Sequence, residues 1–178
     1  MRRAVLVLLI AVLGLSACLS LAACGDDTKV VTDTGKNGQT TVKTVADVKF
    51  AKTQFVVHMG LAYGAFSRYI KNPYQRGDFK QGAEKRKRTI AKAAIAAVFT
   101  YSELKRARRA AESSDTLRRK LLNPIDGLLT KLDDAVAELK AGKLPDFAAL
   151  LAGFTGLREL AKKSGIEFDE KNVPIPGL

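Results

Sequence analysis

Leucine and its apolar equivalents return every three or four residues between Leu117 and Leu139: Leu117, Leu121, Ile125, Leu128, Leu132, Ala135 and Leu139. A helix of 3.6 residues per turn gathers such positions into one stripe, whereas a strand scatters them over two faces. Three more stretches share the period. Val48, Phe55, Met59, Ala62, Phe66 and Tyr69 form the first, widened by Val56, Tyr63 and Ile70. Ile90, Ala94, Ala97, Val98, Tyr101 and Leu104 form the second. Phe147, Leu150, Leu151, Phe154, Leu157 and Leu160 form the last. The expectation is an all-α body over residues 45–165, an up-and-down four-helix bundle with an extended tail over 166–178.

Punctuation places the helix ends. Thr44 to Asp47 has the spacing of a capping box before the first helix. Pro73 should stop that helix at Asn72. Asp78, with Gln81 three residues on, reads as the cap of the second helix, and "ESSD" at 112–115 breaks it. The third stripe runs in step through Pro124. It is either one kinked helix or a short helix followed by a fresh start, with Asn123 as cap and Pro124 first inside. The sequence favours the fresh start. Gly142 and Gly165 terminate the last two helices. Gly60 and Gly64 in the first helix offer a shallow surface for the alanines of the second. Ile166 and Phe168 in the tail can cover an open end of the core.

The N-terminal region is of another kind. Residues 1–14, "MRRAVLVLLIAVLG", are a basic start and an apolar run, and small residues follow. That is the order of a secretory signal. Residues 4–24 nearly reach the twenty or so apolar residues of a spanning helix, so a retained span is the alternative. The chain's only two cysteines end "LSAC" at 15–18 and "LAAC" at 21–24. In this position the pattern resembles the lipobox of bacterial lipoproteins, and the resemblance covers residues 1–24 alone. It implies removal of residues 1–23 and a diacylglyceryl group on the new N-terminal Cys24. Cys18 is the alternative site. Cys24 is preferred because "GDDTK" follows it, whereas Cys18 is followed by the still apolar "LSLAA". The resemblance further implies export and a lipid anchor in the cell membrane, on the outer side of the cytoplasmic membrane or in a periplasm. Two acyl chains suffice for stable attachment.

Residues 24–44 then read as the lipidated Cys and a flexible tether, polar, Thr-rich and punctuated by glycine. A hairpin of "KVVT" and "TTVKTV" about a Gly/Asn loop competes with it.

The formal net charge is +12. Residues 80–120 hold thirteen Lys/Arg against four Asp/Glu, so nearly all the excess sits in one segment. Its cations are Lys85, Arg86, Lys87, Arg88 and Lys92, then Lys105, Arg106, Arg108 and Arg109, then Arg118, Arg119 and Lys120. They are the candidate contacts for anionic lipid head groups or a cell-wall polymer. Nucleic acid is excluded as a partner by the expected export and by the lack of interleaved stacking aromatics.

No chemistry competes with this reading. His58 is the single histidine, no Glu-x-x-His pair or CxxCH occurs, and no nucleophile elbow or phosphate loop is present. The chain is expected to be no enzyme and to carry no metal or cofactor, with His58 a satisfied or solvated residue. "RGD" at 76–78 is a chance tripeptide whose Asp78 has a capping task. The functional expectation is a membrane-anchored, non-catalytic helical lipoprotein that binds or scaffolds an anionic envelope partner. The alternative is a carrier of a small apolar ligand or lipid, held between the small-residue faces of the first two helices.

Overall fold

A computed structural model of the chain describes residues 28–34, 37–171 and 175. The signal segment, Cys18 and Cys24 lie outside the described residues. The described part is mostly helical with one small two-stranded sheet. It divides into two compact units, one ending at Asp47 and the other beginning at Val48.

The first unit takes the hairpin that competed with the tether reading of residues 24–44. Strands β1 (Thr28–Thr34) and β2 (Thr40–Ala46) pair antiparallel, from Thr28 opposite Ala46 to Thr34 opposite Thr40. Polar composition suggested a coil, but threonine and valine are β-branched and suit a pleated ladder. Gly38 takes φ 73 in the connection, a conformation other residues reach only with strain. Val31 and Val45 are buried, while Val30 and Val42 are exposed. Lys29 Nζ lies 3.5 Å from Asp47 Oδ1.

The second unit opens without the anticipated capping box, because Thr44 is already spent in β2. Helix α1 (Ala51–Phe66) instead follows Phe50, an exposed residue at φ 55 with no side-chain cap. Its buried face comprises Phe55, Met59, Ala62, Tyr63 and Phe66. The helix does not stop at Asn72. It widens into a π-helical turn, Ser67–Lys71, and continues as α2, Asn72–Arg76. In the wide turn the Asn72 N–H reaches back five residues to Ser67 O. Proline offers no N–H and crowds the carbonyl four residues before it, and the wider turn eases that crowding. Gly77, at φ 79, ends the run.

Helix α3 (Arg86–Ser113) starts seven residues later than the Asp78 cap required. Asp78 accepts instead from Arg76, at 3.1 Å from Nε and 2.8 Å from Nη2. Between them Phe79 turns inward and stacks on Phe147 at 4.5 Å. The register of α3 also differs from the expected one. Its buried seam is Ala93, Ala97, Thr100, Leu104, Ala107 and Ala111, flanked by Ala96, Glu103 and Ala110. Val98, anticipated in the core, is exposed. Alanine carries little hydrophobic signal, so the larger side chains misled the reading.

Ser114 is extended and breaks the chain between α3 and α4 (Asp115–Lys140). Helix α4 passes unbroken through Pro124, against the favoured fresh start at Asn123. The interior proline costs about 3 kcal/mol. The stripe on both sides of it is buried throughout, at about 1.5–3 kcal/mol per large side chain, and outweighs that cost. Helix α5 (Phe147–Lys163) is capped by Asp146, whose carboxylate accepts from the Ala149 N–H at 2.9 Å. Helix α1 packs on α3, α3 on α4, and α4 on α5.

The tail completes the core. Ile166 and Phe168 are buried, with the Phe168 ring edge-on to Phe55 at 6.4 Å and to Tyr63 at 6.3 Å. Its backbone occupies the glycine face of α1, where Lys171 N–H donates to Gly60 O at 3.1 Å. Gly60 and Gly64 therefore admit the tail, not the alanines of α3. Ile175 is buried beside Ala65 and Ala96.

Candidate anionic-partner surface

The twelve cations singled out in the sequence separate into structural and outward-facing groups. Arg118 is structural. It is only 7% exposed, and its Nη1 lies 2.9 Å from Asp115 Oδ1 and 3.4 Å from Glu112 O, at the joint between α3 and α4. Arg108 is structural as well. Its Nε donates to Asp126 Oδ1 and its Nη2 to Asp126 Oδ2 at 3.3 Å, while Nη1 lies 2.7 Å from Glu112 Oε1. The hydrogen bond to Asp126 is the main cause that raises the Arg108 pKa above its ordinary value, against the cost of burial. The guanidinium is a fixed strap from α3 to α4.

Arg86 is half-buried and donates through Nε to Phe79 O at 2.9 Å, closing the turn before α3. Arg106 donates to Glu103 Oε1 at 2.8 Å, and His58 Nδ1 lies 2.7 Å from the other oxygen of that buried carboxylate. His58 is thus a satisfied histidine. It lines a hollow of about 330 Å³ with Val48, Gln54, Arg106, Arg109 and Ala110.

The remaining cations face outward. Lys85, Lys87, Arg88, Lys105, Arg109, Arg119 and Lys120 are exposed, and Lys92 is half-buried. Lys105 Nζ sits 5.5 Å above the centre of the Tyr101 ring. At the start of α3 the chain brings further cations to this group. Two adjoining hollows of about 400 and 440 Å³ share Arg76, Asp78, Thr89 and Lys92. Lys85 and Arg88 line one, and Arg68 from the π turn lines the other. Sequence reasoning missed Arg68 and Arg76 because they lie outside the dense basic segment and join it only through the reversal at Gly77.

The first turn of α3 has no acidic residue and no side-chain cap. Cations there face the positive end of the helix dipole, at a cost of tenths of a kcal/mol each.

Among the described residues no group of three His, Cys, Asp or Glu is placed to hold a metal ion, and no helix is long and apolar enough to cross a membrane. Comparison of the chain with protein-family models, with curated proteins and with solved structures found no match.

Proposed function

We propose that the protein is a membrane-anchored, extracytoplasmic and non-catalytic helical lipoprotein, held by an acylated Cys24, that binds an anionic cell-envelope partner through α3. Its helical unit is an up-and-down four-helix bundle. Support for that topology is that successive long helices are packing neighbours, from α1 to α3 to α4 to α5. The observation that carries the binding reading is on α3 itself. From Lys85 to Ser102 there is no carboxylate, and Glu103 is turned into the core. Among the described residues, the outward cations of that stretch have no intramolecular task comparable to those of Arg108 and Arg118.

The test is crosslinking in cells of the anchored chain, beside a variant with Lys87, Arg88, Lys92 and Arg109 all changed to Glu. The parent should capture an anionic lipid or polymer, and the variant should lose it. An identical set of captured partners from both chains sinks the binding reading.

A further inference from the structure

Opposite the alanine seam, α3 presents a second seam of the same period: Arg88, Ala91, Ile95, Val98, Ser102, Lys105 and Arg109. All but the half-buried Ser102 are exposed. Ile95 and Val98 are 43% and 46% exposed at its middle, and cations stand at both ends. Lys87 and Lys92 flank one end and Arg106 flanks the other. A surface helix ordinarily turns charged and polar residues outward along its whole length. Here the middle of the outward ridge is apolar, and only its ends are charged. The seam is about 32 Å long, from about 21 steps of 1.5 Å between Arg88 and Arg109.

From this ridge we infer that α3 lies along an anionic bilayer, with Ile95 and Val98 entering the head-group boundary and the terminal cations on lipid phosphates. The inference rests on the membrane-anchored reading above and names its partner. Charge complementarity selects the occupant. Cations that bracket an apolar centre match a surface whose anionic groups lie above acyl chains. A second copy of the chain fits poorly. Two such ridges packed face to face bring Arg88 and Lys92 against cations whether they run parallel or antiparallel. An anionic polymer would use the ends of the ridge and leave Ile95 and Val98 in water.

The experiment uses the acylated full chain, reconstituted by detergent removal into phosphatidylcholine vesicles with or without phosphatidylglycerol. With Cys18→Ser as background, Val98→Cys carries a fluorophore, and nitroxide-bearing lipids report its contact with the bilayer. A label at Thr130→Cys, exposed on α4, is the reference. Strong quenching at Val98 with phosphatidylglycerol, weak quenching at Thr130, and loss at Val98 when Arg88, Lys92, Lys105 and Arg109 become Glu is the expected result. Equal quenching at the two positions, or none at either in vesicles that hold the chain, overturns the inference and leaves the anchor in place. Failure of the chain to acquire fatty acid or to partition overturns the anchored reading beneath it. Disulfide-linked dimers through Val98→Cys would put a second copy on the ridge and overturn the inference. So would binding to a glycerol-phosphate polymer that Ile95→Ser with Val98→Ser leaves unchanged.

Discussion

Lys171 passes over Gly64 so closely that a β-carbon at Gly64 would stand 2.0 Å from the Lys171 carbonyl oxygen. One turn earlier, Gly60 accepts from the Lys171 N–H, and a β-carbon there would come within 2.9 Å of Asp169 O. Two glycines one turn apart thus cut a trough in α1 for the tail. Polar contacts hold the tail's edges: Ser67 Oγ donates to Glu170 Oε1 at 2.9 Å, and Arg158 Nη2 lies 3.5 Å from Asp169 Oδ1. The trough lets Phe168 reach Phe55 and Tyr63.

Gly64→Ala tests the trough directly. In an exposed helix the change would stabilise by about 1 kcal/mol. Here the backbone of Lys171 has nowhere to yield, so a net loss of about 1–3 kcal/mol is expected. Urea denaturation would measure it, and limited proteolysis should cut the variant near Lys171 first. A raised denaturation midpoint with an uncut tail would refute the trough.

Glu103 is a carboxylate buried between His58 and Arg106, and its cost lies in being left alone. Glu103→Ala should lose about 3 kcal/mol, as removal of one partner of a buried pair does. Glu103→Leu combined with His58→Leu removes both polar groups and should come back to within about 1 kcal/mol of the parent. Thermal melts of the single and double variants decide it. If the double variant is as unstable as the sum of its singles, the two side chains are not a pair.

The structural cations and the outward ones should separate by phenotype. Arg118→Met and Arg108→Met remove straps at the α3–α4 joint and should lower stability by about 1–3 kcal/mol, with capture of the anionic partner unchanged at temperatures where the fold persists. Arg88→Gln and Arg109→Gln should leave the melt within about 0.5 kcal/mol and weaken the association about fivefold each. Melts and vesicle binding measured on the same four variants check both halves. A uniform loss of binding across all four, scaling with charge alone, would erase the division.

Much of this was legible in the residues. The stripes of α1, α4 and α5 consist of large side chains, so their period declared the helix and most of its face, with Leu160 exposed against expectation, and the Gly165 end followed from local chemistry. The failures share a cause. The face of α3 is written in alanine, which differs too little from its neighbours to show a direction, so Val98 was assigned to the core and the outward apolar ridge was invisible. Pro73 and Pro124 carry a strong local veto, and tertiary burial overrode it at both. The trough of Gly60 and Gly64 depends on a tail more than a hundred residues away, which no local pattern announces. The hairpin was legible as one of two alternatives: polarity argued for a tether, while β-branching decided the backbone.

The anchor prediction concerns Cys24 and Cys18, and it decides the frame in which α3 is read. A thioether carrying two acyl chains gains about 0.8 kcal/mol per buried methylene, far beyond what a handful of surface cations supplies. Partitioning to membranes should therefore follow the cysteine and not the ridge. Cys24→Ser should abolish incorporation of labelled fatty acid and leave an unprocessed precursor, while Cys18→Ser should change neither. Reversal of the α3 cations should leave labelling intact and alter only the contact of α3 with the surface. If Cys18→Ser abolishes labelling and Cys24→Ser does not, the anchor moves to the other box and "LSLAA" stays on the mature chain. If neither substitution matters, the protein is not held by acylation, and the geometry of α3 against a leaflet loses its premise.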